Sequence, residues 1–396
     1  MKIVVILSRV PYPLEKGDKL RDYRQLKVLH QNHEIILCCL SDSAVHPNAE
    51  KALKEISSAF HIFPLKRWRI AINLFLGLFS RRPLQVHYFY QRKIHKSIQQ
   101  VIERENPDHI YCQLIRTAEY AKHEYNYKKT LDYQDAFSKG VERREQKASW
   151  PLREIFIMER RRLIAYENII FEYFEAKTII SADDRRFIYH PERHDIAIVT
   201  NGIDTDFFTP DYKRSKAYDL VFTGNMSYPP NIETAEYIVN QILPELQRQN
   251  PNITLLLAGS TPHKRVLQLA NSQGVDVSGW LDDIRDAYAK GRIFFAPMQI
   301  GTGLQNKLLE AMAMELPCVT SRLANKSLKA VNGKELLVGE QAEDYIAHIL
   351  NVLSSEQEQK KLGNAGRIFV KEHFSWNQSV AKLEALMEAQ NTDLPV

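Results

Sequence analysis

Cysteine is scarce: four residues, Cys38, Cys39, Cys112 and Cys318, in a chain of 396. All lie in or beside apolar runs and none is spaced for metal binding. Neither a disulfide framework nor a zinc site is expected; buried free thiols in a reducing cytoplasm are. Long hydrophobic runs are lacking too. The opening Met1-Lys2-Ile3-Val4-Val5-Ile6-Leu7 is interrupted too soon for a signal peptide and reads as a first buried strand. The almost wholly apolar stretch 70–79 is about half of the roughly 20 residues that a spanning helix needs. No nucleophile elbow, Walker loop or paired zinc ligand set occurs, and the 13 His are scattered without a pattern that assigns a role. Charge of one sign is not in large excess. A net +5 permits an anionic partner, such as a nucleotide or a phospholipid, without demanding one. No motif that reads nucleic acid is present.

What is there is an ordinary globular composition, 44% hydrophobic and 26% charged. Single cores stop growing near roughly 250–300 residues, so two domains are expected. Short β-branched runs alternate with amphipathic stretches from the start: a strand at 2–7, a helix near 19–30, a strand at 34–40. This βαβ opening recurs, with strands near 110–112, 129–131 and 177–181. After the turn Asn201-Gly202 the pattern restarts, with strands at 219–223, 253–259, 275–278, 293–296 and 318–321 and helices at 232–248, 282–290 and 304–314. Two doubly wound α/β units follow, with expected domains 1–205 and 206–374.

Three segments carry candidate chemistry. In Gly301-Thr302-Gly303-Leu304-Gln305-Asn306-Lys307 a Gly-rich loop enters a helix, where free N–H groups and the helix dipole seat an anion such as a diphosphate. Lys307 in the first turn opposes the dipole unless an anion is present, and Glu310, one turn on, can accept two vicinal ribose hydroxyls. The strand ends Thr223-Gly224-Asn225, Ala258-Gly259-Ser260 and Gly279-Trp280-Leu281 bring glycines to the edge of a sheet where ligands bind in open α/β folds. The loop after the first strand holds Gly17 at a helix start, with Asp18, Lys19 and Arg21 beside it, a second candidate for a phosphate-bearing ligand. Each segment also reads as a plain turn or a solvated helix start when taken alone.

One stretch stands apart. Lys66-Arg67-Trp68-Arg69 leads into the apolar 70–79, which closes on Arg81-Arg82. Cationic flanks and a border Trp suit a helix lying in a membrane interface; a core helix with charged ends fits equally well.

Taken together, these segments resemble the retaining GT-B glycosyltransferases of family four, and most nearly the sugar transferases of bacterial exopolysaccharide systems. The resemblance runs along almost the whole chain, through Pro11-Tyr12-Pro13, Gly17-Asp18-Lys19, Trp150-Pro151, Asn201-Gly202-Ile203-Asp204, Phe222-Thr223-Gly224-Asn225 and Asn306-Lys307 with Glu310, to Phe374-Ser375-Trp376. It implies two Rossmann-like domains facing a cleft, with the last helix, about 375–396, crossing back to the first. It implies a donor site in which Glu310 holds the ribose, Lys307 and the backbone of Gly303, Leu304, Gln305 and Asn306 hold the diphosphate, Gly279, Trp280 and Leu281 line the base, and Gly224, Asn225 and Gly259 complete the edge. Gly17 would approach the phosphate from the first domain. Where many members carry a further Glu this chain has Thr302, and no His stands at Tyr111-Cys112-Gln113; Asp135 is the nearest carboxylate candidate for a catalytic role. The implied reaction is a metal-independent, cofactor-free, retaining transfer from a nucleotide sugar to a lipid-linked acceptor at the cytoplasmic membrane face, with residues 66–82 on the anionic bilayer and no nucleic-acid partner. A nucleotide-sugar 2-epimerase and a non-catalytic partner subunit share the fold and are the alternatives.

Overall fold

The computed structural model describes residues 1–14, 17–300 and 304–392. It divides into two units. The first comprises Met1–Thr200 and the closing helix Trp376–Thr392; the second is Asn201–Ser375. The boundary lies at Thr200–Asn201, on the turn at Asn201-Gly202.

The first unit is built on seven parallel strands: β1 (Lys2–Leu7), β2 (Glu34–Ser41), β3 (Ala59–Pro64), β4 (His109–Gln113), β5 (Lys128–Asp132), β6 (Ala176–Ile179) and β7 (Ala197–Ile198). Their order is β3-β2-β1-β4-β5-β6-β7, so the winding reverses between β1 and β4. Period-two alternation sends Ile3, Val5 and Leu7 to one face and Val4 and Ile6 to the other. The first face packs on the helix Gly17–Leu29 and on Val380, Leu383 and Met387 of the closing helix. The second packs on the helices Arg92–Glu105 and Leu152–Ile170. Burial on both faces explains why β1 is an unbroken apolar run.

The second unit has six parallel strands: β8 (Tyr218–Thr223), β9 (Leu255–Ala258), β10 (Val275–Gly279), β11 (Gly291–Ala296), β12 (Cys318–Ser321) and β13 (Leu337–Gly339). The order β10-β9-β8-β11-β12-β13 reverses between β8 and β11. The helix expected over 232–248 is interrupted. It runs as Pro229–Tyr237, widens to a π turn at Ile238–Ile242 and resumes at Leu243–Gln249. Pro244 has no N–H to give to the preceding turn, and the widened turn absorbs the missing bond.

The stretch 66–82 forms the helix Arg67–Gly77, and it is not a core helix. Ile70 is buried and Leu74 packs on the core, but Trp68, Phe75 and Phe79 are 57%, 63% and 81% exposed, and Ile72, Leu76 and Leu78 face outward with them. Arg162 donates to the carbonyls of Gly77 and Leu78 at 2.7 and 2.8 Å, satisfying carbonyls that the helix end leaves free. Among the described residues no helix is long and apolar enough to cross a membrane.

Candidate functional site

The site lies at the reversal between β8 and β11, at the carboxyl ends of the strands, where open α/β sheets leave a crevice. Glycine makes the strand ends fit. Gly224 follows β8 with φ +155°, and a Cβ on it would stand 2.6 Å from Asn231 Nδ2 and 3.2 Å from Lys307 Nζ. Gly259 follows β9 with φ +142°, and its Cβ would fall 1.8 Å from the Gly224 carbonyl oxygen. Gly224 N donates to Ala258 O at 3.0 Å and Gly259 N to Gly279 O at 3.1 Å, tying the ends of β8, β9 and β10 together.

The helix Asn306–Ala313 starts beside them. Among the described residues its N-cap, Gln305, makes no side-chain capping bond, and the buried Oδ1 of Asn306 meets no hydrogen-bond partner. Lys307 folds its side chain back over Gly224. Its Nζ donates to Asn231 Oδ1 at 2.5 Å and stands 4.6 Å from the centre of the Phe222 ring. The residue keeps some accessible surface, but its ammonium is walled in; burial pulls it down to about 7, against the pull of Glu310. Glu310 Oε2 accepts from Tyr288 Oη at 2.6 Å, and Tyr288 also meets Thr223 Oγ1 at 2.8 Å. Burial raises Glu310 above the usual carboxylate range, with the Tyr288 hydrogen bond and Lys307 opposing. A desolvated amine thus stands in the first turn of the helix, with an oriented carboxylate one turn on. That set is suited to a diphosphate with hydroxyls beside it.

The remaining expected residues fall unevenly. Asn225 is exposed, and its Oδ1 serves the local turn, accepting from Ser227 N, Ser227 Oγ and Thr261 Oγ1 at 2.9, 2.7 and 3.0 Å. Gly279 has φ +67° with open space about it, Trp280 is exposed, and Leu281 and Leu304 pack on the core edge. Thr302 and Gly303 lie outside the described residues. Asn231 and Tyr288 lie outside the candidate segments read from sequence, and Phe222 and Thr223 only inside one of them, although all four position the key side chains. Only the Pro229-Pro230-Asn231 helix start after the Gly224 turn hints at one of them.

In the first unit one expectation needs correction. Arg21 does not face a ligand: it is 1% exposed, its Nε donates to Asp132 Oδ2 at 3.0 Å, and its Nη2 donates to Val199 O at 2.9 Å. Lys19 Nζ donates to Tyr12 O at 3.2 Å, and Asp18 holds Arg9 at 2.7 Å. Gly17 opens its helix exposed, with nothing within 4 Å of an added Cβ. Asp135 keeps an open face but sits deep among neighbouring atoms; burial, then Asp184, pushes its carboxyl up to about 6. The chain also contains one Asp-x-Asp triplet, Asp204-Thr205-Asp206, but Asp204 Oδ1 accepts from Asp206 N and Phe207 N at 3.2 and 2.9 Å as a turn cap. Among the described residues no cluster of three or more His, Cys, Asp and Glu is placed to hold a metal ion.

Comparison with known proteins finds the same fold. The two-unit architecture matches sucrose-phosphate synthase of Thermosynechococcus elongatus with a TM-score of 0.69 at 13% identity, covering 100% of both chains. It matches HepE of Anabaena, solved with UDP and glucose, with a TM-score of 0.68 at 11% identity over 98% of this chain and 99% of that one. The chain shares the two-unit fold of these proteins. Residues 217–355, which carry the Lys307–Glu310 site, match the family model described as glycosyl transferases group 1. Over 394 residues the chain is 21% identical to an uncharacterized 44.6 kDa protein in the cps region of Klebsiella pneumoniae, covering 94% of this chain and 96% of that protein.

Proposed function

We propose that the chain transfers a hexose-type sugar, with retention and without a metal ion, from a nucleoside diphosphate donor to a lipid-linked acceptor in cell-surface polysaccharide synthesis. The observation that carries this is the Lys307 amine, desolvated and held by Asn231 in the first turn of the helix, with Glu310 oriented by Tyr288. Lys307 and the first amides of the helix neutralise the leaving diphosphate, and Glu310 accepts the ribose hydroxyls. The anomeric C–O bond to the diphosphate breaks and the bond to the acceptor oxygen forms on the same face. The acceptor's proton passes to the departing phosphate oxygen. The protein's part is mainly electrostatic stabilisation of that leaving group. UDP and glucose in the HepE structure support a nucleoside diphosphate sugar as donor, and the cps region of the Klebsiella relative supports polysaccharide synthesis.

The exposed apolar face of Arg67–Gly77, flanked by Lys66, Arg67 and Arg81, supports peripheral docking at the cytoplasmic membrane face. Incubation with a panel of nucleotide sugars and membrane extract tests the transfer. A new glycosidic bond of the donor's anomeric configuration, formed in EDTA, is the result expected. An inverted product, metal-dependent turnover, or conversion of the nucleotide sugar alone overturns the corresponding part.

A further inference from the structure

The carboxyl edge of the first sheet carries its own group of charges. Arg9 follows β1 and Arg116 follows β4, so they flank the reversal of strand order in that sheet. With Arg144 they line a cavity of about 340 Å³ whose other wall is largely apolar and includes Leu74, Phe89 and Ile155. The two carboxylates in the lining are already engaged. Asp42 accepts from Tyr88 Oη at 3.1 Å, and Glu159 accepts from Leu84 N and Gln85 N at 2.7 and 3.0 Å. Arg9 is paired with Asp18 at 2.7 Å. Arg116 makes no ion pair among the described residues. Its Nε and Nη2 donate to Gln85 Oε1 at 3.3 and 2.9 Å, and its guanidinium lies 5.0 Å from the Phe89 ring centre and 4.7 Å from that of Phe137. Its direct partners are thus two rings and a neutral amide, and Asp18 and Asp135 act on it only from beyond ion-pair distance. Burial pulls Arg116 down to about 10, which keeps it charged at neutral pH.

We propose that this cavity holds the phosphate of an acceptor carried on an apolar chain, with Arg116 and Arg144 on the anion. The proposal rests on the reading that the acceptor is membrane-borne. Leu74 enters the cavity from the helix that turns Phe75 and Leu76 outward, and Ile155 enters from the helix on which Leu152 is also exposed. A guanidinium with no directly paired carboxylate selects an anion over a neutral glycan end. The apolar wall and the exposed apolar residues beside it select an ester over free phosphate.

Calorimetric titration of the full chain with farnesyl diphosphate, farnesol and inorganic diphosphate tests this. Farnesyl diphosphate should bind, and the other two far more weakly. Arg116→Met should weaken its affinity on the order of tenfold to a hundredfold. Arg144→Gln, at the exposed rim, should weaken it by a smaller factor and serves if the first variant folds poorly. Unchanged affinity in both variants overturns the proposal, as does inorganic diphosphate binding as tightly as the ester. A UDP thermal shift on the same samples reads the donor site separately. Its loss with farnesyl diphosphate binding intact sinks the donor reading alone, and the converse sinks the cavity alone.

Discussion

Lys307 Nζ and Asn231 Oδ1 stand 2.5 Å apart, although the two residues are 76 positions apart in the chain. The contact aims an amine at the Gly224 turn, where a Cβ would already crowd it. Asn231 is neutral and leaves the charge of Lys307 uncancelled, which suits an amine awaiting an anion.

This sets a pH dependence for donor binding. Burial brings Lys307 to about 7. A bound diphosphate favours the charged amine and raises that value, so binding takes up a proton above pH 7. UDP affinity should be full below about pH 7 and fall by up to tenfold per unit above it. Lys307→Arg, charged throughout, should remove the slope, which calorimetry at pH 6.5, 7.5 and 8.5 would detect. An identical slope in the variant contradicts the assignment.

Glu310 and Tyr288 act as a pair. Glu310→Gln should raise the KM for the donor, because an amide accepts from ribose hydroxyls less well than a carboxylate. Tyr288→Phe removes the bond that aims Glu310 and should give a smaller shift of the same kind, roughly 1 kcal/mol in kcat/KM. Initial rates against donor concentration separate the two. A normal KM in Glu310→Gln rules out the ribose contact.

The glycines differ in cost. Gly259→Ala drives a Cβ to 1.8 Å from the Gly224 oxygen and should destabilise by about 3–4 kcal/mol, strain and clash together. Gly279→Ala meets no atom within 4 Å and should cost only the left-handed conformation, about 1–2 kcal/mol. Urea midpoints rank them, and equal losses contradict the packing described for the strand ends.

Docking to anionic vesicles should depend on Lys66, Arg67 and Arg81, each worth about 1 kcal/mol near an anionic surface. Arg82 is not interchangeable with these, since it pairs with the buried Glu119 at 3.1 Å. Changing the first three to Glu should abolish co-sedimentation at moderate salt with little change in melting temperature. Phe75→Ser with Phe79→Ser should weaken the residual, salt-resistant part. Undiminished sedimentation of either variant removes the segment from the membrane face.

Much of the fold is legible in local pattern. β1, β2, β8 and β11 are buried on both faces, so their apolar runs announce them, and the Gly-rich entry into Asn306–Ala313 announces the helix start. The edge strands β3 and β13 are half-buried or very short and carry a weaker pattern. Arg21 reads as a cation facing a phosphate because its partner, Asp132, lies 111 residues away. Tyr288 and Asn231 are invisible for the same reason: the sheet alone brings them to Glu310 and Lys307. The outward face of Arg67–Gly77 is ambiguous in sequence because apolar residues occur all round it, and only packing decides which side is covered.

Calorimetric titration of the full chain with UDP, GDP, ADP and TDP tests the donor site most directly, comparing wild type with the Lys307→Ala, Glu310→Ala double variant. One nucleoside diphosphate should bind the wild type, and the double variant should bind it at least about a hundredfold more weakly at an unchanged fold. Failure of every nucleotide to bind the wild type, or equal affinity in the double variant, would contradict a donor site at Lys307 and Glu310.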